Sequence, residues 1–144
     1  MKYKIVFLVP SFAGGGAERV IITLANSLDR NRYIPSIIAL DAKGPLQNLI
    51  ANDVAVVNLE RPRLRYAIIR LIKEIRRINP YAVVPTMGYL NLCVLSIWKY
   101  VGSDIKVIVR EANAVDATLK AIRLPCLVRY LYRYLYPRAT HVIA

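Results

Sequence analysis

The spacing of apolar residues along this chain changes repeatedly between two patterns. Short apolar runs are typical of buried strands, and an apolar residue every three or four positions is typical of an amphipathic helix. The first run, residues 4–9, is followed by a helical pattern at residues 17–28, and the alternation continues to the end of the sequence. This pattern predicts an α/β fold in which a doubly wound, mostly parallel sheet carries helices on both faces.

Five further strands and four further helical segments follow. The predicted strands are residues 33–40, 54–59, 81–86, 105–109 and 140–144. The predicted helical segments are residues 44–51, 64–78, 90–101 and 117–136, the last of them interrupted at Pro125. Domains seldom stop inside a core strand, because its edge is then left unpaired. We therefore expect residues 1–144 to be one domain of a truncated or split protein.

The composition of this domain says more about the kinds of partner that it binds than about its fold. The formal net charge is +12 at pH 7, and 56% of the residues are hydrophobic. A charge of this size favours anionic partners: nucleic acid, anionic lipid or phosphorylated substrates. The short apolar start ends at Pro10 and resembles neither a signal peptide nor a membrane span, so we expect a cytoplasmic protein. Cys93 and Cys126 lack metal-like spacing, and we expect both to be reduced and buried.

A glycine-rich turn, Gly14-Gly15-Gly16, follows the first predicted strand and precedes Glu18 and Arg19. Glycines here allow a ligand to approach the backbone, and the free N–H groups of a helix start favour phosphate. Gly14 and Gly16 fill the first two positions of a dinucleotide fingerprint, but Arg19 occupies the third. Asp41 ends the second strand, where a ribose-binding acid lies in such domains. A dinucleotide site and a purely structural turn therefore both stay open at this point.

Polar residues also follow two later strands. Tyr89 and Asn91 come after the fourth strand, and Arg110, Glu111 and Asn113 come after the fifth. Ligands of doubly wound sheets bind beyond the carboxyl ends of the strands, so we expect these residues to share one rim with the glycine turn. Arg110 is suited to a phosphate or carboxylate. Single polar loop residues and helix caps are the alternative.

Two basic segments complete the pattern. The first includes Arg65, Arg70 and Lys73, and the second includes Arg129, Tyr130, Arg133 and Tyr134. Arginine mixed with tyrosine is typical of surfaces that lie at the headgroup depth of a membrane. An ordinary solvated helix face is the alternative. Nucleic-acid binding is less favoured, because no recognition motif accompanies the charge. His141, the one histidine, opens the last strand and favours a structural role, so metal and Ser-His-Asp chemistry have little support.

The ordered set of motifs resembles the N-terminal domain of family 4 (group 1) glycosyltransferases. The resemblance covers essentially the whole chain and rests on four segments: the glycine turn with Glu18, Arg19 and Val20, then residues 86–91, residues 110–113 and residues 137–144. It implies a GT-B architecture of two Rossmann-like domains facing a cleft, with metal-independent transfer that retains the anomeric configuration. A histidine that many relatives place on the cleft rim is absent from these rim segments.

The resemblance also implies roles. Gly14, Gly15 and Gly16 would approach the donor phosphates and sugar, with Glu18 positioning the turn. Arg110, Glu111 and Asn113 would line the acceptor or sugar side, with Tyr89 and Asn91 as further candidates. The donor would be a nucleotide-sugar, the acceptor a glycan, often lipid-linked, at the inner membrane face, and no metal or other cofactor is expected. The C-terminal donor-binding domain lies outside this chain, so we expect the chain alone to be inactive. A non-catalytic accessory or binding module is the alternative.

Overall fold

The computed structural model describes residues 1–111 and 125–143. Within them, six strands form one sheet in the order β3-β2-β1-β4-β5-β6, and every pair of neighbours is parallel. The chain starts at the centre of the sheet, builds outward to β3 and then crosses back to β4. The predicted doubly wound α/β fold is confirmed, with a sheet that is parallel throughout the described strands.

The elements have the following bounds. The strands are β1 (Tyr3–Val9), β2 (Tyr33–Ala39), β3 (Ala55–Asn58), β4 (Ala82–Pro85), β5 (Lys106–Arg110) and β6 (His141–Ile143). The helices are α1 (Gly16–Ser27), α2 (Leu64–Ile78), α3 (Gly88–Val101) and α4 (Pro125–Leu135), with 3-10 helices at Pro45–Leu49 and Tyr136–Arg138.

Two apolar layers cover the sheet. Successive strand residues point to opposite faces, so Val6 and Leu8 lie in one core cluster while Ile5 and Phe7 lie in the other. The first cluster packs against α2, α3 and α4, and the second packs against α1 and the 3-10 helix at Pro45–Leu49. Because both faces are covered, the strands read as continuous apolar runs in the sequence.

The structure corrects several predicted boundaries. The segment after Gly44 is a 3-10 helix that ends at Leu49, not a helix that continues through Ala51. Helix α3 begins at Gly88 and not at residue 90, so Tyr89 lies in its first turn and not in a loop before it. Helix α2 keeps its predicted bounds, because its apolar stripe is buried and Asn79, with φ 49°, ends it in a left-handed conformation before Pro80. The predicted helical residues 117–124 lie outside the described residues.

Candidate functional site

The three glycines of the first loop play three different parts. Gly14 has φ +124°, a conformation that only glycine adopts without strain. Gly15 is the N-cap of α1, and a Cβ built on it would lie 1.9 Å from Oε2 of Glu18. Gly16 is the first helical residue, and a Cβ there would meet no atom within 4 Å. A side chain at position 15 would therefore collide with Glu18, and the approach of a ligand to this loop stays a prediction.

Glu18 is buried against Gly15 in the first turn of α1, with only 5% of its surface exposed. A carboxylate is favoured at this position because the helix N-terminus is electropositive. Its Oε2 atom nevertheless has no hydrogen-bond partner among the described residues. Buried oxygens without partners are rare, so Glu18 is an unusual residue at this helix start.

Arg110 lies on the other side of a cleft of about 350 Å³ whose lining also includes Gly15, Gly16, Glu18 and Met87. It is the last residue of β5, and its Nη1 atom donates a hydrogen bond of 3.1 Å to Oγ1 of Thr86 at the end of β4. The cleft thus joins the N-terminus of α1 to a half-buried guanidinium at the carboxyl edge of the sheet. It can hold a ligand that has an anionic group for Arg110 and a hydroxyl for Glu18.

A buried amide network lies behind this cleft. Asn91 is fully buried, and its Nδ2 atom lies within hydrogen-bond distance of three acceptors: the Arg110 carbonyl at 3.0 Å, Oε1 of Glu111 at 2.9 Å and the Tyr136 hydroxyl at 3.2 Å. Its Oδ1 atom has no partner among the described residues. The network fixes the backbone of Arg110 and the carboxyl of Glu111, and Asn91 is the residue that joins them.

Tyr132 of α4 reaches the same region. Its side chain is buried, and its hydroxyl has no hydrogen-bond partner among the described residues. A Cβ on Gly88, the first residue of α3, would lie 1.9 Å from that hydroxyl and 3.6 Å from Oε2 of Glu111. Gly88 therefore allows α4 to bring a tyrosine hydroxyl against the start of α3, beside the carboxyl of Glu111.

Burial raises the pKa values of three side chains near the carboxyl ends of the strands. It raises the pKa of Glu111 above its ordinary value, and the hydrogen bond from Asn91 opposes this effect. Burial also raises the pKa of Tyr132 to about 12, and the Glu111 charge adds to the shift. Burial raises the pKa of Tyr89, with a further contribution from the charge of Glu18. Both tyrosines are therefore hydrogen-bond donors at neutral pH.

The structure brings most of the predicted rim together. The glycine loop, Glu18 and Arg110 share the cleft, while Asn91 and Glu111 form the network behind it. Tyr89 is 46% exposed in the first turn of α3. Asn113 lies outside the described residues. The prediction that both cysteines are buried is wrong for Cys126, which is exposed on α4, whereas burial of Cys93 raises the pKa of its thiol to about 11.

The predicted basic surface lies on the other helical layer. Its residues are all exposed: Arg65, Arg70 and Lys73 on α2, and Arg129, Tyr130, Arg133 and Tyr134 on α4. The rings of Tyr130 and Tyr134 stack 6.2 Å apart. Arg70 is partly engaged, because its Nη1 atom donates to the Leu59 carbonyl and to Glu60. Helix α3 lies between α2 and α4, so the two basic helices belong to one side of the molecule.

Sequence reasoning missed Tyr132, Tyr136 and Met87 as parts of this edge. Tyr132 lies on α4 and Tyr136 in the 3-10 helix that follows, their rings are 4.7 Å apart, and Leu135 lies buried between them in the sequence. Tyr130 and Tyr134 have the same spacing two residues earlier and lie on the exposed face. The position of each tyrosine pair relative to the leucines of the helix is the sequence signal that identifies the inner pair.

No family model matches the chain, and no curated protein matches it. Among the helices of residues 1–111 and 125–143, none is long and apolar enough to cross a bilayer. The same residues contain no group of three histidine, cysteine, aspartate or glutamate side chains placed to hold a metal ion.

Proposed function

We propose that this chain is the acceptor-side, N-terminal half of a retaining glycosyltransferase that moves a sugar from a nucleotide-sugar to a glycan acceptor. The observation that carries the proposal is the cleft at the carboxyl ends of the strands that Gly15, Glu18 and Arg110 line together. A carboxylate acceptor beside a guanidinium suits a ligand that has both a hydroxyl and an anionic group. A phosphorylated sugar has this combination.

The position of the cleft agrees with the chemistry of its residues. It lies where β1 and β4 are neighbours and the chain reverses its direction of winding, and ligands of doubly wound sheets bind at such switch points. The first turn of α1 adds N–H groups and a positive potential on the Gly15 side. In the proposed reaction, Glu18 accepts a hydrogen bond from a ligand hydroxyl, while Arg110 binds a phosphate or carboxylate.

The proposed acceptor is lipid-linked and is reached at the cytoplasmic face of the membrane. Two features support this choice. The cleft contains a carboxylate and a guanidinium among small and apolar residues, and these two groups suit the glycan or phosphate part of an acceptor. The exposed arginines and tyrosines of α2 and α4 suit the bilayer surface in which such an acceptor is anchored. The donor-binding half is proposed to be a second domain, which this chain would face across a cleft.

Gly15 offers the sharpest test of this proposal. A valine there directs its side chain into the carboxylate of Glu18, whereas Gly16→Ala adds a Cβ that meets no atom within 4 Å. We expect Gly15→Val to lower sugar transfer at least tenfold and Gly16→Ala to leave it within about twofold. The assay follows labelled sugar from nucleotide-sugars into lipid extracts of cells that express the gene from its natural locus.

Equal transfer by the wild type and by folded Gly15→Val protein would contradict the role of this loop. A second measurement separates the enzyme from an accessory module. Calorimetric binding of glucose 1-phosphate that is lost in Glu18→Gln and Arg110→Gln, without any transfer in cells, would identify a binding module. Saturable binding of a nicotinamide dinucleotide without binding of glucose 1-phosphate would identify a dinucleotide domain.

A further inference from the structure

Helix α4 has two chemically different faces. Its inner face contributes Tyr132 and Leu135 to the core side, while its outer face exposes Leu127, Tyr130 and Tyr134 at 54%, 63% and 57%. Exposed apolar residues occur singly on most soluble proteins, but here three lie on one short helix together with two arginines. An exposed face of this composition indicates an interaction surface.

The side chains of the outer face are ordered among themselves. The rings of Tyr130 and Tyr134 are nearly parallel, and the guanidinium of Arg138 lies 4.6 Å from the centre of the Tyr134 ring. Residues 130, 134 and 138 therefore form a continuous aromatic–cationic row. Tyrosine presents an apolar ring with a polar tip, and this combination favours the headgroup layer of a bilayer.

Helix α2 extends this surface on the far side of α3. Tyr66 and Ile69 are 59% and 72% exposed, and they line a groove of about 400 Å³ with Arg61, Arg70 and Lys73. The guanidinium of Arg65 lies 4.6 Å from the centre of the Tyr66 ring. Apolar and aromatic side chains are thus mixed with positive charge on both outer helices of this layer.

Charge identifies the occupant of the surface. Among the residues of α2 and α4, Glu74 is the single acid, and its carboxylate binds Arg77 of the same helix. The side chains of Arg65, Lys73, Arg129 and Arg133 form no salt bridge within the described residues. A surface with unpaired cations and exposed tyrosines complements a layer of anionic headgroups over acyl chains.

We propose that the outer faces of α2 and α4 dock this protein on an anionic phospholipid bilayer, with the Tyr130–Tyr134 pair at headgroup depth. The inner face of α4 gives the docking a direction. The Tyr136 hydroxyl, one residue beyond α4, accepts from Nδ2 of Asn91, and the Tyr132 hydroxyl lies against Gly88. The helix that docks is therefore the helix that packs against the carboxyl edge, and docking holds that edge close to the membrane surface.

Vesicle binding tests this proposal without knowledge of a substrate. The protein should sediment with phosphatidylcholine vesicles that contain phosphatidylglycerol, and binding should fall as salt rises. Arg129→Gln with Arg133→Gln should weaken that binding on the order of 30-fold at low salt. The matched control, Lys2→Gln with Arg32→Gln, removes the same charge from exposed residues at the end of the sheet where β1 and β2 begin. It should change binding less than threefold. Circular dichroism verifies that each variant is folded.

Depth of insertion provides a second, independent readout. The fluorescence of Tyr134→Trp should be quenched by brominated lipids in these vesicles, and that of Tyr3→Trp should not. Trp98 is present in both variants as a constant background. Equal quenching at the two sites would overturn the orientation. Failure of the wild type to bind anionic vesicles, equal losses in the two double variants, or binding to duplex DNA with no vesicle binding would overturn the docking surface. None of these outcomes depends on the transferase proposal.

Discussion

The end of the sheet at which the strands begin, the amino edge, differs from the end at which they finish, the carboxyl edge. The same strands form both, but the two differ in whether their polar groups have hydrogen-bond partners. At the amino edge, the rings of Tyr3 and Tyr81 lie 4.5 Å apart, and Nζ of Lys106 donates to the Tyr81 hydroxyl at 2.5 Å. Nζ of Lys4 donates to the Ile78 carbonyl at 2.9 Å. Each of these exposed polar groups has a hydrogen-bond partner within the described residues.

The carboxyl edge has the opposite character. Within the described residues, Glu18, Asn91 and Tyr132 each keep one buried polar atom without a partner. An unsatisfied buried group costs free energy of folding, on the order of 1–3 kcal/mol. The comparison indicates that the polar contacts of the amino edge contribute to stability, while the unpaired polar atoms of the carboxyl edge lower it. Four predictions follow from this comparison, beginning with the largest expected effect.

Gly44 and Gly102 allow the two edges to be compared directly. Gly44 follows β2 at the carboxyl edge with φ +133°, and a Cβ there would lie 2.0 Å from the Phe12 carbonyl oxygen. Gly102 precedes β5 at the amino edge with φ +138°, and its nearest contact would be the flexible end of Ile105 at 3.3 Å. We expect Gly44→Ala to lower the free energy of unfolding by about 4 kcal/mol and Gly102→Ala by about 1–2 kcal/mol, measured by urea denaturation. Equal losses would show that backbone strain alone decides both effects.

The contact between Gly88 and Tyr132 predicts a rescue. Gly88→Ala places a Cβ 1.9 Å from the Tyr132 hydroxyl, and we expect it to lower stability by about 2–3 kcal/mol. Tyr132→Phe removes a hydroxyl without a partner among the described residues, so we expect it to leave stability unchanged or raise it by up to about 1 kcal/mol. The double variant should recover more than half of the loss. Purely additive effects in this double-mutant cycle would contradict the contact.

Tyr81 tests the amino edge in the same way. Tyr81→Ala removes the ring contact with Tyr3 and the cation–π contact with Lys106, whose Nζ lies 4.6 Å from the ring centre. We expect a loss of about 1–2 kcal/mol in the free energy of unfolding, with no change in binding of ligands at the opposite edge. A loss of ligand binding in folded Tyr81→Ala protein would end the separation of the two edges.

The pH dependence of stability should reveal the raised pKa of Glu111. Because its folded pKa lies above the ordinary value of 4.5, its ionisation opposes folding, and this penalty is fully present above the folded pKa and absent below the ordinary one. We expect Glu111→Gln to be more stable relative to the wild type at neutral pH than at pH values below the ordinary pKa. Urea midpoints across this range measure the difference, with Asp104→Asn, at an exposed carboxylate without a salt bridge in the described residues, as a control for the loss of one charge. A difference that is independent of pH would contradict the raised pKa.

Much of the fold was predictable because buried parallel strands and amphipathic helices have strong local patterns. The stripe of Leu71 and Ile75 predicted α2 with its true bounds. The start of α3 was not predictable in the same way, because Gly88 and Tyr89 lack apolar periodicity and Met87 begins the helix with φ 78°. Asn91 lies inside the predicted helix, but its hydrogen bond to Glu111 joins two segments that are distant in the chain and is not visible in local spacing.

The sequence by itself determined the order of the elements, the charge, the position of the glycine loop and the amphipathic character of α2 and α4, because these depend on residue types at short spacing. Only the tertiary structure decided which polar atoms remain unpaired. Whether Glu18 has a partner depends on what lies across from Gly15, and whether Tyr132 belongs to the surface or to the carboxyl edge depends on how α4 packs against Gly88. Whether a buried polar group has a hydrogen-bond partner depends on how separate segments of the chain pack, so it is known only when those segments are packed together.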